Sequence, residues 1–105
     1  ESENSLNADL YDSCVIFSYT AMFHAGRALM FNEGYREKGH VGVLIFLEHF
    51  CIDKLGSKLI YEFDKLRKER HEILYGLEKI KFSEEEVKYI LDTSKEFVKK
   101  VREIL

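Results

Sequence analysis

No proline interrupts the 105 residues, and only six glycines punctuate them. A chain lacking the strongest helix breaker, and sparing in the next strongest, is free to form long helices joined by short turns. No alternating β pattern competes with that reading. The expected fold class is therefore all-α: an up-and-down bundle of four to five helices in a single domain, residues 1–105. A two-domain enzyme is excluded by length. Folding at this size buries only about 65% of the extended chain's surface, so a subunit interface would help stability.

The apolar spacing sets the expected elements. Residues 1–9 are mostly polar and read as the frayed end of a helix that starts upstream. Asp12 or Ser13 can cap the next helix, which runs to about Asn32 and stops at Gly34. Along it Val15, Tyr19, Met22, Phe23, Gly26, Leu29 and Met30 form one broad stripe, and Phe17, Ala21, Ala28 and Phe31 cover much of the rest, so the helix should be central. A third helix over roughly 40–54 is apolar on nearly every side from Val41 to Ile52, which implies burial against several neighbours, a second copy of the chain included. A fourth should span Ser57 to Tyr75. The fifth opens with a capping box, Ser83 to Glu86, and carries apolar residues three and four apart to the C-terminus.

Sixteen Lys and Arg against nineteen Asp and Glu leave a net charge of −3, which argues against a general electrostatic grip on nucleic acid or an acidic membrane. Any anion site must be local. There is no run of about 18 uninterrupted apolar residues and no leader pattern, so a soluble cytoplasmic protein without membrane attachment is expected. Cys14 and Cys51 lack the paired spacing of a zinc or redox motif and read as packing residues.

Helix four holds the anomaly. Leu59, Phe63, Leu66, Ile73 and Leu77 repeat at four- and three-residue steps, but Arg70 occupies the missing position on that seam, with Arg67 on its flank. His71 and Tyr75 follow Arg67 at four-residue spacing. Burying an unpaired guanidinium costs several kcal/mol, so two arrangements are open. In one, the arginines pair with Asp64, Glu69 or a neighbouring helix and merely fix register. In the other, the face lines a groove, between two subunits, where the arginines grip phosphate and His71 supplies a titratable ring.

The stretch Arg67 to Tyr75, together with Tyr19-Thr20-Ala21-Met22-Phe23-His24-Ala25-Gly26-Arg27-Ala28-Leu29 and the turn Gly34-Tyr35-Arg36-Glu37-Lys38-Gly39-His40, resembles the HEPN (higher eukaryotes and prokaryotes nucleotide-binding) family over nearly the whole chain. The resemblance implies a dimerising helical bundle, a partner of a minimal nucleotidyltransferase in a prokaryotic toxin–antitoxin or stress module. Many relatives are metal-independent ribonucleases whose signature is an Arg, four to six residues, then a His. Carried over, Arg70 would stabilise the charged phosphorane and His71 would serve as acid or base. The chain departs from the signature: four residues after Arg70 comes Tyr75 rather than His, and tyrosine, with an ordinary pKa of about 10, is a poor base near neutrality.

Arg36, Lys38 and His40 make a compact basic turn that either contacts phosphate at the mouth of a cleft or is a solvated loop. His24 reads as a hydrogen-bonded core histidine, and His49 is given no role. The histidines fall on different elements, so no metal site is expected. No glycine-rich phosphate loop or other cofactor motif is present. The favoured expectation is a homodimer that presents Arg67, Arg70, His71 and Tyr75 to RNA or nucleotide phosphate. The alternatives are a metal-independent ribonuclease using Arg70 and His71, or a purely structural dimer.

Overall fold

The computed structural model describes the backbone of residues 2–36, 39–77 and 80–105, and within them the side chains from Asn7 onward. Among these residues there are five helices: α1 (Ser2–Asn32), α2 (His40–Phe50), α3 (Ile52–Leu55), α4 (Ser57–Tyr75) and α5 (Glu84–Ile104). The domain is an all-α bundle elongated along α1, whose 31 residues amount to about 46 Å at 1.5 Å each. The longest dimension of the molecule is 49 Å.

No break falls at Asp12 or Ser13, where the sequence led us to expect a cap; both lie inside α1. The cap preference is a local signal and loses to packing: Tyr11 continues the stripe of Val15 and Tyr19 against the core, so helix geometry is held through the polar residues. Gly34 does end α1, with φ of 86° and its amide donating to the Phe31 carbonyl. The expected third helix is two. Cys51 leaves helical geometry with ψ near 5°, and the bend lets α2 pack on α1 and α4 while α3 turns toward α4 and α5. Gly56, φ 91°, then reverses the chain into α4.

α5 follows its sequence reading closely. The Ser83 hydroxyl accepts from the Glu86 amide at 3.1 Å and the Glu86 carboxylate accepts from the Ser83 amide at 2.9 Å, so two otherwise orphaned donors are satisfied. Val87, Ile90, Ser94, Phe97 and Val101 are buried along its inner face, and Thr93 joins them. Leu105 is exposed, as is Leu77, which lies beyond the end of α4 and so never reaches the seam it was expected to continue.

Three rings tie the bundle together. Tyr19 of α1 meets Phe63 of α4 at 5.2 Å, and Phe63 stacks on Phe97 of α5 at 5.7 Å with planes 15° apart. The Ser94 hydroxyl also donates to the Ser18 carbonyl at 3.0 Å, joining α5 to α1 at a point where both side chains are small. Cys51 is buried and Cys14 half-buried against the core, as packing thiols.

α1 is central on one face only. Val15, Tyr19, Met22, Leu29 and Met30 are buried, whereas Phe17 is 72% exposed and Phe31, Ala21 and Ala28 also face outward. Similarly Val41, Ile45 and Ile52 lie exposed on α2 and α3. Polar residues break any continuous apolar run, yet an 18-residue window within Asn7–Asn32 has a mean hydropathy of 1.2, so α1 is long and apolar enough by composition to cross a membrane while its inner face packs in the bundle.

Gly26 sets the α1–α2 approach: a Cβ built there would sit 2.9 Å from Val43 Cγ1 and 3.5 Å from Leu47 Cδ1. Gly26→Ala gains about 1 kcal/mol of helix propensity, which the crowding offsets. The bulkier Gly26→Val is expected to lose about 1–3 kcal/mol in urea denaturation, because neither Val43 nor Leu47 has room to retreat in a packed core.

Candidate functional site

Tyr19 lies on the inner face of α1 and its hydroxyl is 2.7 Å from Nδ1 of His40, the first residue of α2. The imidazole also packs on Phe23, ring centroids 4.2 Å apart. Over the face of the Tyr19 ring, 5.8 Å from its centroid, sits the Arg70 guanidinium of α4. Three elements thus deliver a phenol, an imidazole and a guanidinium to one place, which the spacing of each element alone does not reveal.

The electrostatics follow from burial and the two arginines. Burial pushes the Tyr19 phenol well up, outweighing the downward pull of Arg70 and Arg67. His40 is lowered from its ordinary value, first by burial and then by repulsion from Arg70 and Arg67. At neutral pH the pair is therefore uncharged, and the positive charge of the site belongs to arginine. Because the folded pKa lies below the unfolded one, the unfolded chain binds more protons between the two. The stability held by neutral His40 is complete above about pH 6.5, the ordinary histidine value, and is lost as pH falls toward the folded pKa. Melting temperatures from pH 8 to pH 5 should drop more steeply for the native chain than for His40→Gln, a comparison that cancels the carboxylates titrating in both.

The two arginines differ. Arg67 is tied to Asp64 on its own helix, with Nε and Nη2 donating to Oδ1 at 3.1 and 2.8 Å, and Lys68 shares that carboxylate at 3.4 Å. This is the internal pairing that one of the two sequence readings required. Arg70, half-buried on the seam, has no hydrogen bond or ion pair to a carboxylate among the described residues. Its packing against Tyr19 leaves its N–H groups for something else.

His71 and Tyr75 stand apart from this cluster. Residues adjacent on a helix are 100° apart, so His71 does not follow Arg70 inward; it is exposed and pairs its ring with that of Tyr75 at 5.1 Å. Arg36 lies with its guanidinium 5.3 Å from the Phe31 ring, and Lys38 of the expected basic turn lies outside the described residues. Of the described residues of that turn, His40 comes near Arg70 and Arg67. His24, expected in the core, is exposed on α1, because the polar strip it shares with Thr20 turns away from the buried stripe. Tyr19 was assigned to packing alone; a hydroxyl-bearing ring on a buried stripe, where Phe would pack as well, is the signal for its second role.

The other side of α4 has the opposite character. A cleft of about 230 Å³ between α4 and α5 is lined by Glu62, Glu69, Glu85, Glu86 and Lys65, together with apolar Leu66 and Ile90. The Tyr89 hydroxyl donates to buried Glu62. Burial raises Glu69, and the neighbouring Glu86 and Glu62 push it further. Four carboxylates against Lys65 give this cleft an acidic lining, so it and the cationic site are separate features of one helix. Among the described residues no cluster of His, Cys, Asp and Glu has the makings of a metal site.

Residues 1–104 match the family model of the HEPN domain, and the chain belongs to that family. It is 36% identical over 75 residues to the UPF0332 protein of Archaeoglobus fulgidus, an overlap covering 66% of this chain and 58% of that protein. The chain thus spans less than two thirds of that relative's length. No solved structure matches it.

Proposed function

We propose that this HEPN domain works as a cytoplasmic homodimer that binds RNA or nucleotide phosphate through Arg70, with Arg67 and His40 beside it, and serves as the partner of a minimal nucleotidyltransferase in a toxin–antitoxin or stress module. The observation that carries the reading is the Arg70 guanidinium, held on the Tyr19 ring and with no carboxylate partner among the described residues. A purely structural role explains Arg67, which has Asp64, but not Arg70. His71 and Tyr75, exposed on the same helix, extend the surface that a nucleic acid would meet.

Metal-independent cleavage is a second reading, favoured by the neutral imidazole of His40 beside a guanidinium. Fluorescence anisotropy with a labelled single-stranded RNA, run in EDTA across a salt series, tests both. Binding that weakens with salt, and RNA recovered intact, supports the binding module. Products ending in 2′,3′-cyclic phosphate, lost in His40→Ala or His71→Ala, support the enzyme. No binding at low salt overturns both.

A further inference from the structure

Tyr19 is 0% exposed, so its hydroxyl cannot turn to water, and a buried O–H needs an acceptor. Among the described residues its hydrogen-bond partner is Nδ1 of His40, at 2.7 Å. Burial raises the phenol far above its ordinary pKa, so it keeps its proton throughout the range in which histidine titrates. A phenol that keeps its proton donates, and Nδ1 accepts only when it carries no hydrogen. The one hydrogen of the neutral imidazole is then on Nε2, at the ring edge turned away from the Tyr19 hydroxyl.

The surroundings hold the ring in that state. Charging it would put a hydrogen on Nδ1, turn the hydroxyl into an acceptor and orphan the buried O–H. Facing the imidazole among the described residues are Tyr19 and Phe23 of α1 and, from α4, the charges of Arg70 and of Arg67, the latter with Asp64 bound to it. His24 meets the edge of the Phe23 ring. No carboxylate pairs with His40 among the described residues, so an imidazolium would meet the Arg70 charge without a counter-ion.

Tyr19 also carries the arginine. The Arg70 guanidinium lies 5.8 Å from the centroid of the Tyr19 ring and the imidazole centroid 5.5 Å from it, so one buried side chain fixes both groups. We propose that Tyr19 is a positioning residue that holds His40 as the neutral ring with its hydrogen on Nε2, and that this N–H donates to the same phosphate that Arg70 binds. The proposal rests on the anion reading of Arg70 and adds the part His40 plays in it. Two donors of fixed protonation then meet the anion, one charged and one neutral, and a phosphodiester binds without taking up a proton. The lone pair of the ring is already engaged by Tyr19, which makes His40 a donor rather than a base. Phe at position 19 would fill the same space without that selection, which accounts for a hydroxyl on the buried stripe.

Long-range ¹H–¹⁵N NMR of the labelled chain reads the ring directly, because protonated and unprotonated imidazole nitrogens give separate ¹⁵N signals. Fluorescence anisotropy with a labelled oligouridylate, whose bases and phosphodiesters do not titrate between pH 5 and pH 8, reads binding. The expected result is Nε2 protonated and Nδ1 bare in the free and the bound chain from pH 8 to pH 6, with the affinity following the same pH profile as that of His40→Gln. His40→Leu should lose roughly three- to tenfold in affinity, and the neutral donor of His40→Gln should recover most of it. In Tyr19→Phe, with helical circular dichroism unchanged, the released ring should titrate nearer the ordinary histidine value, and binding, weakened at pH 8, should tighten as pH falls. A hydrogen on Nδ1 of the native ring, or proton uptake by His40 on binding, overturns this role alone, as does a Tyr19→Phe chain that titrates and binds like the native one. No binding by the native chain at low salt overturns the anion reading, and this role with it.

Discussion

Phe97→Ala is expected to cost about 3–5 kcal/mol, the range for truncating a fully buried phenylalanine. The ring is 0% exposed and stacked on Phe63, which in turn meets Tyr19, so the cavity opens where α1, α4 and α5 converge. Neighbouring rings are stiff and cannot slide into the vacancy, which places the cost toward the upper part of that range. A domain of this size holds on the order of 5–15 kcal/mol in all, so one truncation removes about a fifth or more of the margin. The melting temperature should fall by roughly 12–40 °C, at 4–8 °C per kcal/mol. Phe97→Leu, which fills most of the volume, should cost much less, and an unchanged denaturant slope in both would show that packing alone was altered. A loss under 1 kcal/mol for Phe97→Ala would mean that the three-ring column does not hold the bundle together.

That column was only partly legible in the sequence. Phe97 and Phe63 each stood out on a periodic stripe, because helical spacing repeats locally and needs no knowledge of the partner. Their contact belongs to tertiary packing between helices separated by the turn after Tyr75. The same division runs through the fold. Ser83 and Glu86 announce a helix start because the bonds that cap it lie within three residues. Asp12 and Ser13 looked like another, but a cap is a small term beside a continuous buried stripe, and α1 runs through them. The break at Cys51 leaves no local mark; it answers to where α1 and α5 lie.

At the candidate site, the arginine on the seam was visible because it interrupts a pattern. What it faces was not. The four-residue step from Arg67 and the family signature put His71 on the arginine face, whereas in the fold His71 is exposed and the imidazole beside Tyr19 and Arg70 is His40 of α2. Likewise Asp64 was one of several carboxylates named for the arginines, and only coordinates distinguish Arg67, which it satisfies, from Arg70, which it does not.

Arg70→Ala is expected to weaken RNA binding roughly 10- to 100-fold, since hydrogen bonds to a charged group contribute about 1.5–3 kcal/mol and each 1.4 kcal/mol is tenfold. If Arg70 neutralises one phosphate, the slope of log affinity against log salt should flatten by about 0.7 for a single strand. Arg70→Lys keeps the charge but loses the planar fork, so affinity should fall while the slope stays. The fold should survive, because the guanidinium's contact with the Tyr19 ring is worth only about 0.5–2 kcal/mol. Arg67→Ala acts differently: it leaves the Asp64 carboxylate to exposed Lys68 alone, and the less compensated charge then repels phosphate from the same groove. Adding Asp64→Asn to Arg67→Ala should restore much of that loss, whereas adding it to Arg70→Ala should restore little. Equal recovery in both backgrounds would mean that the two arginines serve one internal network and that Arg70 has no anion of its own.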